Sequence, residues 1–280
     1  MSKFKFAACE WAFPCWGELA IKMAHDAGFQ GVQLGDGGAS LHSYPLRSKR
    51  VQEYYLNLGA KYDIEFPQIH LYTLGHQGYF RNSPDSAEGR ICFESIKQGV
   101  IAASEMGIPS VVIDGMRMNN PAKKQHVLEA AGYAVKLGEE YGVNISMETD
   151  MELDDHITFL DAFDGKLKLC FDTHNPCMYG TGYPPEMIRT LGRERIDHFH
   201  IKDNAGNKDG FVNVESPLVP FGTGVTFFEE SAQAIKDIGF EGWIVSENMY
   251  YHPSMMEGAA DYVEAAKRDV QALRRVYGVN

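Results

Sequence analysis

The chain has 280 residues, 44% of them hydrophobic and 23% charged, with a formal net charge of −12. That is material for one large α/β barrel or two small domains. With no basic run, it argues against nucleic acid and anionic membrane surfaces as partners, since both need positive patches. The five cysteines are odd in number and scattered, so they form no disulfide framework, and a reducing compartment is expected. The N-terminal MSKFKFAACEW lacks the long apolar stretch and cleavage site of a secretion signal, and no apolar run is long enough to span a bilayer. A cytoplasmic location is expected.

The first strand is KFKFAACEW, followed by a helix over 16–27 that Gly28 closes. GVQLGDG is the second strand; a polar loop and a helix over about 47–62 follow. EFPQIHLY is the third, then a long loop, TLGHQGYFRNSPDS, and a helix over 87–106 stopped by Gly107. IPSVVIDG is the fourth, with a helix over 122–141 and Gly142 behind it. NISMETD, LKLCFDTH, IDHFHIKD and GWIVSEN are the fifth to eighth strands. Helices are expected over 156–163, 184–193, from a Thr226 cap to 238, and over 258–277. Strands alternating with helical patterns predict a parallel sheet, and a count of eight predicts a single (β/α)8 TIM barrel spanning 1–280 as one domain. A doubly wound sheet would want a glycine-rich phosphate loop after the first strand, where ACEWAFPCWG is aromatic instead.

Four strands end in a potential metal ligand: Glu148, Asp172, His200 and Glu247. Period-two alternation sets each on the face of the residue two before it, at the C-terminal end of its strand. Three carboxylates in one pocket repel unless protonated or neutralised by a cation. One divalent metal ion per chain is the economical partner. Oxygen donors with one imidazole suit Mn²⁺, Mg²⁺ or Co²⁺ better than a thiolate-rich zinc site would.

The set SMET, FDTHN, HFHIKD and VSEN resembles the sugar isomerase/epimerase branch of the xylose isomerase-like TIM-barrel superfamily, which includes ketose 3-epimerases. The resemblance covers essentially the whole chain. It implies that Glu148, Asp172, His200 and Glu247 bind one ion, Mn²⁺ foremost with Zn²⁺ also open, and that Glu148 and Glu247 double as acid/base groups on opposite sides of a sugar. Endonuclease IV shares the superfamily, and His70 resembles its strand-borne histidine. Asp114 and Asn175 stand where that enzyme carries histidines, and PLVP over Pro217–Pro220 lacks its Asp-x-His, so DNA repair is not the expectation. Many epimerases of the branch also carry histidine at the Asn175 position, which leaves open whether His174 or Asn175 meets substrate.

Further candidates surround the quartet. His70, at the end of the third strand, is expected to touch substrate, and Lys202 to hold a substrate oxygen or to pair with Asp203 or Glu247. Trp11 and Phe13, with Glu10 and Trp16 on the first loop, offer aromatic faces for sugar C–H surfaces, against the alternative of a plain hydrophobic cap. His198, two residues deeper than His200, is expected in the barrel interior. The FGTG turn, Arg81, Arg117 and Arg189 are candidate phosphate partners. The expected activity lies in carbohydrate metabolism: metal-dependent isomerisation or epimerisation by proton abstraction next to a carbonyl, through an enediolate. Alternatives are a dehydratase or lyase acting on an inosose or 3-oxo sugar, and a metal-dependent sugar-binding barrel. The expected partner is a small carbohydrate, with a homo-oligomer left open.

Overall fold

The computed structural model describes residues 3–36, 43–72, 74, 81–116, 121–207, 209 and 211–279. Eight parallel strands close into a barrel in sequence order: β1 Phe4–Cys9, β2 Gly31–Gly35, β3 Gln68–His70, β4 Ser110–Asp114, β5 Asn144–Glu148, β6 Leu167–Asp172, β7 Ile196–Ile201 and β8 Gly242–Ser246. β8 closes on β1, with Phe4 opposite Gly242 and Ala8 opposite Ser246. The single (β/α)8 TIM barrel expected from the alternation is the fold.

Helices between the strands cover the outer face. Val32, Leu34, Ile69, Val111, Ile145, Leu169, Phe199 and Ile244 are buried in one continuous core with helix residues such as Ile21, Ile96, Ile188, Ile235 and Leu273. Two of the longer helices begin at a side chain that satisfies an orphan amide. Ser86 accepts the Gly89 amide at 2.9 Å to start Ala87–Met106, and Asp261 accepts the Glu264 amide at 2.8 Å to start Tyr262–Tyr277. Gly107 ends the first of these at φ 69°, a left-handed turn that costs a residue with a Cβ.

Three details differ from the sequence reading. β3 is only Gln68–His70, because Pro67 precedes it and has no amide to give a ladder. Thr226 does not cap the following helix, Phe228–Asp237: its hydroxyl donates instead to Asp203 Oδ1 at 2.7 Å, and the helix starts behind Phe227 at φ 59°. Short helices Asn175–Tyr179 and Pro253–Met256 follow β6 and β8, too brief to show helical periodicity.

The β6–β7 ladder carries a bulge. Leu169 pairs with Ile196, but Cys170 pairs with His198, leaving Asp197 as the extra residue on β7. Beyond it pairing continues in the shifted register, and Asp172 lies opposite His200.

Candidate metal centre at the barrel mouth

The four strand-end side chains converge. Glu148, Asp172, His200 and Glu247 each put one ligand atom within 4.8 Å of the other three, and all four are buried. Register explains this: Asp172 and His200 are direct partners, and Ser246 lies opposite Ile201, so Glu247 emerges just above His200.

Each group is oriented by neighbours. His200 Nδ1 lies 3.0 Å from Glu247 Oε2 and 3.4 Å from Glu148 Oε2. Trp11 Nε1–H donates to Glu247 Oε1 at 3.0 Å, and the Asn175 amide donates to Glu148 Oε1 at 2.7 Å. Asp172 Oδ1 accepts the backbone N–H groups of His174 and Asn175 at 2.7 and 3.1 Å. The Lys202 ammonium lies 2.6 Å from Asp172 Oδ2 and 2.6 Å from Glu247 Oε2. Burial pushes the Glu247 carboxyl up, but Lys202 and then His200 outweigh it and hold the group well below the carboxylate range. Burial raises Asp172 to about 6 against the pull of Lys202.

Three carboxylates thus share one ammonium and one imidazole, a balance that accepts a further cation more readily than an anion. His70 lies beside them, its ring centroid 5.8 Å from that of His200 and 5.2 Å from that of Trp11. Both of its ring nitrogens are buried without a hydrogen-bond partner among the described residues, and burial lowers its pKa to about 4. An orphaned neutral imidazole at the mouth is the mark of a site built for a polar ligand. The donor set fits a divalent ion of the Mn²⁺ or Mg²⁺ kind, and zinc as well.

The remaining candidates divide. His174 is buried, its ring lowered to about 3 by burial and then by Lys202. Asn175 opens the short helix after β6, so both reach the centre, His174 through its backbone and Asn175 through its side chain. Phe13 is 2% exposed and packs on Tyr250 at 5.3 Å between centroids. Glu10 ties that loop down by accepting from the Gly17 amide and the Tyr55 hydroxyl at 2.9 and 2.8 Å. Trp16 is half-exposed. The FGTG amides are already committed: Gly222 and Gly224 donate to Asp203 Oδ2 at 2.8 and 3.0 Å. A Cβ at Gly224 would lie 2.2 Å from the Asp203 carboxylate, so only glycine fits. Arg81 donates to the Met116 carbonyl at 3.2 Å, Arg189 is held by Asp237 at 2.8 Å, and Arg117 lies outside the described residues.

Three residues near the site escaped the sequence reading as contributors. Asp114 ends β4 beside Glu148, and burial, then Glu148, raise it to about 7. Its signal, an acid ending an apolar strand, was the one used for the quartet. Gln33, a polar residue inside the buried run GVQLG, and Asp197 touch the two histidines of β7. A buried amide in a strand interior is itself a signal, because it must find partners.

No curated protein sequence matches this chain. Among solved structures, a protein described as IolI with a bound zinc atom superposes with a TM-score of 0.75 at 16% identity, covering 98% of each chain. A D-allulose 3-epimerase from Methylomonas sp. gives 0.71 at 15% identity over 99% of each chain. A probable 3-DHS dehydratase, AsbF, from Bacillus anthracis gives 0.71 at 16% identity, over 96% of this chain and 98% of its own. No helix among the described residues is long and apolar enough to cross a membrane. The family model of the xylose isomerase-like TIM barrel matches residues 21–276, and the chain belongs to that family.

Proposed function

We propose that this chain is a divalent-metal-dependent isomerase or epimerase of a sugar or sugar phosphate, acting as one domain over residues 1–280. The observation that carries the reading is the convergence of Glu148 and Glu247 on one buried pocket with Asp172 and His200. The superposition on a D-allulose 3-epimerase supports it at the level of the fold. Glu148, Asp172, His200 and Glu247 are the residues that would hold the ion, Mn²⁺ ahead of Mg²⁺, Co²⁺ or Zn²⁺. When bound, such an ion supplies Lewis-acid polarisation of a carbonyl.

The chain's own residues do the rest. One glutamate takes the proton on the carbon next to the carbonyl, leaving an enediolate, and the other returns it. Return to the opposite face inverts that carbon; return to the neighbouring carbon moves the carbonyl. Trp11 and Asn175 fix the two carboxylates by one oxygen each. In this reading Lys202 and the neutral His70 hold substrate hydroxyls, while the rings of Trp11 and Tyr72, with centroids 5.0 Å apart, exclude water.

One observation favours a second reading. The Lys202 ammonium sits among the carboxylates, and its positive charge suits stabilising a departing β-hydroxyl in a dehydratase or lyase acting on an inosose or 3-oxo sugar. The superposition on a probable 3-DHS dehydratase is compatible with it. Turnover in D₂O tests both. With Mn²⁺ and D-fructose, D-tagatose or D-allulose, the epimer or isomer should carry deuterium next to the carbonyl. Full turnover without solvent deuterium would overturn the proton-transfer scheme. Loss of water from an inosose, without ketose turnover, selects the lyase. Sugar binding without either leaves a binding barrel.

A further inference from the structure

Below the metal centre the barrel interior holds a second polar chain, which the proposed chemistry does not use. It starts at Asp197, which lines an open polar pocket with Lys168 and Arg193 at the end of the barrel where the strands begin. Asp197 Oδ2 accepts from the Ser110 hydroxyl at 3.0 Å and lies 2.8 Å from His198 Nδ1. His198 Nε2 is 3.1 Å from Gln33 Nε2, and Gln33 Oε1 is 2.9 Å from His200 Nε2. The Cys9 thiol points at the same Gln33 oxygen, at 3.4 Å. Asp197 has 16% of its side-chain surface exposed; Gln33, His198 and His200 have none of theirs.

With the Gln33 amide nitrogen toward His198 and its oxygen toward His200, the chain runs in one direction. An ionised carboxylate can only accept, so His198 Nδ1 carries a proton and donates it to Asp197. The Gln33 Nε2–H₂ group can only donate, so His198 Nε2, 3.1 Å away, accepts from it. That leaves Gln33 Oε1 as acceptor for a proton on His200 Nε2. With a proton held on Nε2, a bound cation would displace only the proton on Nδ1, the nitrogen that faces Glu148 and Glu247. The bulge makes this reachable. In a regular strand Asp197 and His198 would point to opposite faces, whereas the extra residue lets the carboxylate meet the ring beside it.

We propose that Asp197, His198 and Gln33 are positioning residues that hold His200 as the Nε2–H tautomer, presenting Nδ1 to a divalent cation. The consequence for metal rests on the reading above; the direction of the chain does not. The device resembles, in its physics, the carboxylate that fixes the tautomer of a catalytic histidine, where replacement by an amide preserves geometry and reverses the tautomer. Partners that orient a ligating histidine from behind are worth roughly ten- to a hundredfold in metal affinity.

The test is a long-range ¹H–¹⁵N correlation spectrum of histidine-labelled protein, metal-free and Zn²⁺-loaded. Resonances are assigned by their loss in His198→Gln and His200→Gln. His198 should show a protonated Nδ1 and a bare Nε2 in both states, and His200 a protonated Nε2 in both. In Asp197→Asn the His198 pattern should reverse, and Zn²⁺ affinity in Asp197→Asn and Gln33→Leu should fall roughly ten- to a hundredfold. A proton on His198 Nε2, or a bare His200 Nε2, in the wild-type protein overturns the proposal without recourse to any variant. A chain that takes up no Zn²⁺ removes the metal reading, while the metal-free spectrum still decides the direction of the chain.

Discussion

The two halves of the barrel end in different chemistry. β5 to β8 end in Glu148, Asp172, His200 and Glu247, three carboxylates and an imidazole within 4.8 Å of one another. β1 to β4 bring Cys9, Gln33, His70 and Asp114, with Trp11 just beyond β1. In that half His70 is lowered to about 4 and Asp114 is raised to about 7, both by burial first. One half therefore concentrates charge, and the other holds neutral or readily neutralised groups against it. Burying like charges together is costly unless a cation joins them, so the charged half reads as a cation site. The uncharged half is the source of the hydrogen bonds that aim the charged one. Trp11 does so from the strand next to that of Glu247, and Gln33 from β2 across the barrel to His200 on β7.

The sharpest way to break this contrast is to remove charge from one half without changing shape. Glu148→Gln and Glu247→Gln should each lower turnover by roughly 10²- to 10⁴-fold, the scale of a lost acid/base group. Metal content must be measured beside the rate, since either change also weakens the donor set. One of the two variants should still exchange substrate hydrogen with solvent while forming no product, because a lone base can remove and return a proton on one face. Equal rates in both variants and the native chain would end the acid/base assignment.

A next effect separates two aromatic neighbours on the same loop. Phe13→Ala should cost about 3–5 kcal/mol of stability, as for a buried aromatic replaced by a cavity, with ordinary kinetics in the folded remainder. Trp11→Phe should leave the melting temperature near that of the native chain. It removes a hydrogen bond to a carboxylate worth about 1.5–3 kcal/mol, to be seen in kcat/KM. If Phe13→Ala instead spares stability and raises KM, Phe13 belongs to the sugar pocket after all.

A smaller effect tests the frame behind the charged half. Asp269 is buried in the last helix and accepts from the Phe221 amide at 2.9 Å and from Asn248 at 2.7 Å, clamping the loops after β7 and β8. Burial raises its carboxyl from 3.8 to about 7. The native state therefore keeps a proton that the unfolded chain has already released, and stability falls as pH rises between those values. The contribution is complete below 3.8 and gone above about 7. Asp269→Asn should flatten that window, by up to about 4 kcal/mol at ~1.4 kcal/mol per unit. Urea midpoints at the two ends of the window check it; parallel profiles for the native chain and the variant would mean that Asp269 ionises normally.

The contrast between halves also marks what could be read in the sequence. The barrel was legible because each strand is a short buried run followed by a helical pattern, both local signals. The quartet was legible because an acid or imidazole at the end of such a run repeats four times. The orienting half was not. Gln33 gains its role only once β2 faces β7 across a closed barrel, a relation no local pattern carries. Asp197 depends on a bulge, and alternation alone would turn it away from His198. Phe13 and Trp11 look alike in the sequence and part only through packing. The FGTG glycines looked free for a phosphate until Asp203 claimed their amides.

The central claim is that the charged half is assembled around one cation. Calorimetric titration of the metal-stripped chain with Mn²⁺, with metal content checked independently, tests it most directly. The account predicts one tightly bound ion per chain, lost in both Asp172→Asn and His200→Ala. Undiminished binding in those two variants, or no binding in the native chain, would contradict it.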